Sequence, residues 1–436
     1  MTPLVYVYYH GEVDIAAWEW MVSFLIVGVL FMVMASRAKS LIAIAPEYRY
    51  YVPGFLAKVL GGMGFSLIYF YYYEGGDTTA YFYSALAMRN LAFNDTMEYI
   101  RQMLGDNSMK AWSAYTMETA KPFQYVFLED RTFAVLRFTS LLVIFSFKSY
   151  LVTTVLTAVL SYLGVWLGYR TFVGYFPDIA GKLAIGFLFM PSAVFWGSSI
   201  LKDTYTFSAV CLWAHAVDEL FFKRRNYGSR VLLLLLSAWI MVLIKPYIFM
   251  ALLPCTLAWI SYFRVVAIRS LIVKFVVLPI AVAIAVGGSL FILNKLSGAL
   301  DKFALGTALE TIEITQRDMS NERQYGSNRF DLGHFDGTWL GLLGKFPVAV
   351  NAALFRPYLW ESRSVVMLLS GLENGMVLLL TILCLLRAGP IFTLRVISGV
   401  PLVLMSVTFA LVFAFVVGVT TPNFGALVRF KIPLVP

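Results

Sequence analysis

Two carboxylates three residues apart, Glu74 and Asp77, stand in the run Tyr71-Tyr-Tyr-Glu74-Gly-Gly-Asp77-Thr-Thr-Ala-Tyr81. On a glycine turn against aromatic surface, such a pair suits a general base or an acidic ligand for a divalent metal. The ordinary alternative is a helix cap, because an Asp just ahead of Ala80 and Tyr81 can accept orphan backbone N–H groups. The glycines and tyrosines make this setting unlike an ordinary cap. Asp77 is therefore expected to be the base, with Glu74 beside it.

A second run, Pro191-Ser-Ala-Val-Phe-Trp196-Gly-Ser-Ser-Ile-Leu-Lys202-Asp203, ends on a lysine and an aspartate. The chemistry it could do is to contact a phosphate through Lys202, with Asp203 setting its position. The competing reading is a lysine that snorkels to a membrane surface and pairs with its neighbour. Lys245, in Leu243-Ile-Lys245-Pro246-Tyr247, is weighed the same way. Arg356 in Leu354-Phe-Arg356-Pro-Tyr-Leu-Trp360-Glu361, and Arg429 with Lys431 in Asn423–Pro433, complete the basic set. Arginine contacts phosphate through two parallel hydrogen bonds, strongest in a low-dielectric cleft. Carboxylates and cations together are what a nucleophilic hydroxyl and a phosphate leaving group need.

The other titratable residues read more plainly. Glu373 lies inside an apolar run and is expected to hydrogen-bond a neighbouring helix, although an ionisable group there is also a functional candidate. His334, between Asp331 and Asp336, reads as solvated loop surface, and His215 lies away from the proposed cleft. Nothing requires a metal, although the carboxylates could hold a divalent ion. Asn94-Asp95-Thr96 matches a glycosylation sequon that matters only in a eukaryotic secretory setting, and Gly61-Gly-Met-Gly64 permits close helix packing.

The elements that position these residues must be membrane helices. Of 436 residues, 60% are hydrophobic and 14% charged, and the mean hydropathy is +0.77. Soluble domains carry about 45–50% apolar and about 25% charged residues, so a soluble enzyme is excluded. Apolar runs of spanning length exclude a β-barrel, which shows short alternating segments. The net charge of +9 is not a nucleic-acid signal, because most of the charges sit in short loops between apolar runs. The expectation is an all-α polytopic transmembrane bundle of about ten spans. They fall near 16–35, 51–73, 149–168, 181–198, 204–222, 229–244, 247–263, 271–294, 364–386 and 396–418.

Basic residues orient the bundle. With the N-terminus outside and Phe133–Phe147 lying in the interface, runs such as Lys223-Arg224-Arg225 fall in the cytoplasm. The short outer loops then hold only Lys202 and Lys245. Two longer segments fall outside, 74–147 and 295–363. Met88–Leu104 and Asp301–Ile314 show helical periodicity with one apolar face, and Trp339–Trp360 reads as re-entrant or interfacial. No internal repeat is visible, which weakens an inverted-repeat transporter reading. Cys211, Cys255 and Cys384 sit in apolar runs and read as small buried hydrophobes. The first 16 residues carry Glu12 and Asp14 and no Lys or Arg, so the first span reads as retained rather than as a signal peptide. The chain stops at Lys431-Ile-Pro-Leu-Val-Pro436, and a further helix beyond it is expected.

The layout resembles the GT-C class of membrane glycosyltransferases, which use polyprenyl-phosphate-linked sugars. The resemblance covers roughly residues 45–300. It rests on the acidic residues Glu74 and Asp77 after an early span, on the Pro191–Asp203 turn, and on a second long outer segment before the last spans. It implies that Asp77 is the catalytic base and that Lys202, Lys245 and Arg356 contact the lipid phosphate. It also implies an active site on the extracytoplasmic face of an integral membrane protein, expected in a bacterial inner membrane. The implied partners are membrane lipid, a polyprenyl-linked sugar, a glycan, lipid or protein acceptor and envelope-assembly proteins. The chain departs from the class in an extra helix before the acidic loop, in lacking an adjacent acidic pair there, and in showing no large soluble C-terminal domain. O-antigen-type polysaccharide polymerases share much of this layout, so a lipid-linked polymerase or ligase is the alternative enzyme. A lipid or solute transporter is the alternative class, and it requires charges along a path through the membrane.

Overall fold

The computed structural model describes residues 15–267, 314, 329–330, 332–333, 338–362 and 364–436. Among them the chain is all-helical, with no strand and one isolated bridge between Arg329 and Asn423. It divides into two compact units, residues 1–245 with Pro436, and residues 246–435.

The first unit contains α1 (Ala17–Leu41), α2 (Tyr51–Leu67), α3 (Asp77–Asn94), α4 (Thr96–Met103), α5 (Met109–Ser113), α6 (Gln124–Phe127) and α7 (Asp130–Phe145). It continues through α8 (Tyr150–Tyr175), α9 (Ala180–Ala184), α10 (Pro191–Phe195), α11 (Lys202–Val217) and α12 (Tyr227–Ile244). The second unit contains α13 (Pro246–Ala267), α14 (Trp339–Gly344), α15 (Phe346–Phe355), α16 (Val365–Ala388), α17 (Pro390–Gly399), α18 (Pro401–Thr420) and α19 (Phe424–Phe430).

Seven helical runs among the described residues are long and apolar enough to cross a membrane: Ala17–Leu41, Pro46–Tyr72, Tyr150–Tyr175, Tyr227–Ile244, Pro246–Phe263, Val366–Ala388 and Pro401–Thr420. Each overlaps an expected span. Such helices satisfy every interior backbone group within the segment, the condition for crossing hydrocarbon. Exposed Met21, Phe24 and Leu25 on α1, and Leu232, Leu235 and Trp239 on α12, form apolar faces suited to lipid. These features identify an integral membrane protein.

Two expected spans differ, and a third is not among the described residues. The run 181–198 is broken into α9, a π-helical turn over Ile185–Phe189, and α10. Pro191 has no N–H to continue the ladder and Met190 is extended before it (φ −60°, ψ 123°). Beyond Trp196 the backbone unwinds until Lys202 opens α11. The run 204–222 is helical, through α11 and a π turn over Asp218–Phe222, but Thr204, Thr206, Ser208, His215, Asp218 and Glu219 keep it out of the apolar set. The run 271–294 lies outside the described residues. In addition, 396–418 starts late, because Val400 is extended ahead of Pro401.

The segment 74–147 is helical, but Met88–Leu104 is two helices rather than one. Asp95 breaks the run and caps α4, accepting from Glu98 N at 3.0 Å. Phe133–Phe147 becomes α7, which starts at Asp130 and buries Phe133, Val135, Leu136 and Val143. The stretch Trp339–Trp360 holds α14 and α15, divided at Lys345 ahead of Pro347. Asp301–Ile314 lies outside the described residues except for Ile314, and so do His334, Asp331 and Asp336. Cys211 and Cys255 are buried as expected, whereas Cys384 is exposed on α16.

Helix α8 is the buried centre of the first unit, packed against α2 and α11. Close approach of the unwound stretch after α10 to α2 is set by glycine: a Cβ at Gly62 would lie 2.6 Å from the Ser198 carbonyl oxygen. Polar groups inside the unit find one another. The Ser66 hydroxyl lies 3.0 Å from that of Thr154 and 2.8 Å from that of Ser199. The Thr78 hydroxyl lies 3.1 Å from Ser199 and 3.0 Å from the Tyr150 phenol. These five buried hydroxyls join α2, α3, α8 and the unwound stretch.

Cysteine labelling tests the orientation. Met117, 88% exposed in the α5–α6 connection, is expected to be labelled by an impermeant maleimide from outside intact cells when it is changed to Cys. Asn226→Cys, in an exposed turn before α12, is expected to react only after permeabilisation. External labelling of Asn226→Cys would make α7 a membrane span.

Candidate functional site

The acidic turn is built by the end of α2. A π-helical turn over Ile68–Tyr72 closes that helix, and Glu74, Gly75 and Gly76 then take φ of 50°, 152° and 125°. A Cβ at Gly76 would sit 2.8 Å from the Tyr69 ring, so the turn needs glycine for both conformation and space. Gly76 takes the cap position, and Asp77 is the first residue of α3 rather than its cap. Its half-buried carboxylate therefore stands in the first turn of α3, where the helix dipole favours negative charge. Glu74 is exposed.

Lys202 and Asp203 open α11. Adjacent helical residues project about 100° apart, so these two cannot face each other. The structure accordingly gives them different partners from those expected. Lys202 Nζ lies 2.9 Å from Glu129 Oε2, while Asp203 pairs with Lys245 in an almost fully buried ion pair, the two side chains 1% and 5% exposed. Lys245 reaches Asp203 because α12 ends there, its last-turn hydrogen bond running from Lys245 N to Met241 O. Glu129 is the cap of α7, its Oε2 accepting from Thr132 N at 2.8 Å and from the Thr132 hydroxyl.

These groups act on one another electrostatically. Burial lowers the Lys202 pKa from its ordinary value, Glu129 opposes that shift most strongly, and Asp77 opposes it too, while Lys245 adds to it. Burial works against ionisation of Glu129, but Lys202 and Thr132 outweigh it and hold the carboxyl below its usual range. Asp77 also acts on the phenol of Tyr125, which is 69% exposed. Asp77, Glu129, Lys202, Asp203 and Lys245 therefore form one charged cluster within the first unit, with Tyr125 beside Asp77.

The remaining expected cations belong to the second unit. Arg356 Nε donates to both carboxylate oxygens of Glu361, at 3.0 and 3.1 Å, and its Nη2 pairs with the same group. Its guanidinium also lies 4.8 Å from the Phe330 ring centroid and 5.1 Å from that of Phe424. The expected bidentate partner was a phosphate, and in the structure that place is held by Glu361. Lys431 donates to Asn374 Oδ1 at 2.5 Å and to the Arg356 carbonyl at 3.4 Å. Burial lowers its pKa to about 8, with Glu373 opposing. Glu373 is buried and acts electrostatically on Lys431. Arg429 is half-buried, its guanidinium 6.0 Å from the Phe430 ring.

Sequence reasoning missed Glu129 and Lys58. Glu129 carried a signal, since Glu129 and Thr132 sit just ahead of an apolar run in the spacing of a helix start. Lys58 carried a plainer one, a lone cation inside the second span. Among the described residues, no group of three or more His, Cys, Asp or Glu could hold a metal ion. No family model, curated protein or solved structure matches this chain.

Proposed function

We propose that this chain is an integral-membrane glycosyltransferase that moves a sugar from a polyprenyl-(di)phosphate donor to an acceptor on the extracytoplasmic face. The supporting observation is the placement of Asp77: a half-buried carboxylate at a helix start, within the electrostatic reach of Lys202, which belongs to a two-lysine cluster. Such a site can take a proton on one side and stabilise a departing anion on the other. In the reaction, Asp77 accepts the proton of an acceptor hydroxyl as its oxygen bonds to the sugar C1. The C1–O bond to the lipid phosphate breaks through an oxocarbenium-like state, and the electron pair leaves with the phosphate. Lys202 and Lys245 stabilise that charge. The direct test supplies the purified chain in nanodiscs with polyprenyl-phosphate sugars and follows release of free lipid phosphate. A product extended by repeat units would assign it to the polymerase class, and absence of turnover and of lipid-phosphate binding would reject the reading.

The pH dependence separates Lys202 from a merely structural lysine. Because its pKa is lowered in the folded chain, the folded state binds fewer protons than the unfolded one in a window below the ordinary 10.5. Stability from this group therefore rises with pH across that window, whereas phosphate affinity falls as the ammonium deprotonates. Glu129→Gln removes the carboxylate that most supports the charged form. The alkaline limb of undecaprenyl phosphate binding is expected to move to lower pH in this variant, measured by titration in nanodiscs. A limb that stays in place would show that Lys202 does not contact the phosphate.

A further inference from the structure

Lys58 lies midway along α2, inside the apolar run Pro46–Tyr72, and is 3% exposed. A cation there is costly unless a partner offsets it. Among the described residues no carboxylate is paired with it. Its Nζ donates to the Ala193 carbonyl at 3.3 Å and lies 5.1 Å from the Phe207 ring centroid. A Cβ at Gly197 would sit 3.1 Å from that Nζ and 2.5 Å from the Ala193 oxygen. Lys58 is therefore packed directly beneath the point where α10 gives way to unwound backbone.

Unwound backbone beside a membrane helix must satisfy its carbonyls through side chains. Here the assignments are explicit. At the end of α10, Lys58 donates to Ala193 O and the Ser198 hydroxyl to Val194 O at 2.5 Å; in the unwound stretch, the Ser161 hydroxyl donates to Gly197 O at 3.1 Å and the Thr204 hydroxyl to Ser199 O at 2.6 Å. Three of the four donors are neutral hydroxyls. Lys58 is the fourth, an amine, and it alone of these donors reaches across from α2. Lys58 grips the last turn of α10, from which the stretch departs, and Lys202 and Asp203 stand at the other end. We infer that Lys58 is a positioning residue: it fixes the unwound stretch Trp196–Leu201 and thereby the placement of Lys202 and Asp203 toward a lipid phosphate. This inference rests on the phosphate-binding role proposed above.

The experiment uses the full chain in nanodiscs, with Lys58→Met and Lys58→Gln. Amide hydrogen exchange over 193–203 is measured together with undecaprenyl phosphate affinity and melting temperature. Lys58→Met should speed exchange in 193–203 roughly tenfold or more. It should also weaken lipid-phosphate binding roughly tenfold, with exchange in α1 and α12 unchanged. Lys58→Gln keeps a donor on a shorter side chain and should fall between parent and Lys58→Met. It carries the test alone if the methionine variant does not fold. Unchanged exchange over 193–203 overturns the inference. So does a lowered melting temperature with unaltered affinity, because a purely structural lysine gives that result. If the parent itself fails to bind undecaprenyl phosphate, the functional reading fails on that measurement alone. The local exchange then still decides whether Lys58 holds the stretch.

Discussion

Asp77→Asn is expected to lower turnover roughly a hundred- to ten-thousandfold, the range for loss of a general base. The substitution keeps the shape of the side chain and removes its ability to take a proton. Its structural cost is small, since giving up a negative charge in the first turn of α3 forfeits about 0.3–1 kcal/mol of dipole interaction. Gly76, not Asp77, occupies the cap position of α3. The variant should insert and melt as the parent does while releasing almost no lipid phosphate. Glu74→Gln should have a much smaller effect, because Glu74 is exposed on the turn. Near-normal turnover by purified Asp77→Asn would remove the base from the mechanism.

The second large effect is expected at the Asp203–Lys245 pair. Both side chains are almost fully buried, so removing one partner takes the ion pair away from a charge in a low-dielectric interior. Breaking such a pair costs about 3–5 kcal/mol, whereas replacing both partners with apolar groups of similar size is often neutral. Lys245→Met and Asp203→Leu should each be strongly destabilised, and the double variant should recover most of the loss. Recovery of stability without recovery of lipid-phosphate binding would assign Lys245 to the site. Recovery of both would make the pair a structural strut. Denaturation in detergent, read alongside undecaprenyl phosphate binding, gives both answers. If the single variants are as stable as the parent, the two charges do not form a buried pair in the protein.

What the sequence made legible follows from the physics of each signal. Long apolar runs are unambiguous because hydrocarbon admits only internally satisfied helices, and seven such runs stand where hydropathy puts them. The run 181–198 failed because hydropathy counts apolar side chains and ignores backbone continuity, which Pro191 interrupts. The acidic turn was legible through its glycines, whose positive φ and missing Cβ are local requirements. Ion-pair partners were not legible. Lys202 reaches Glu129 across 73 positions and Lys245 reaches Asp203 across 42, and no periodicity encodes such pairings. Proximity in sequence suggested Asp203 for Lys202, and helical geometry turned it away. Arg356 shows the converse, since its partner Glu361 was visible five residues on.

The five hydroxyls joining Tyr150, Thr78, Ser199, Ser66 and Thr154 have a property that their distances alone do not state. Each hydroxyl both donates and accepts, so the same heavy-atom positions permit donation in either sense along the series. The two senses are mirror-image polarisations of one unit, and neighbouring bonds reinforce whichever sense is present. One end begins at Tyr150 and the other returns to Thr154, one turn further along the same helix. Thr78 adjoins Asp77 in sequence, and Ser199 lies in the backbone that carries Lys202. The arrangement is thus a reversible dipole, stored in the interior of the first unit without any motion of its helices.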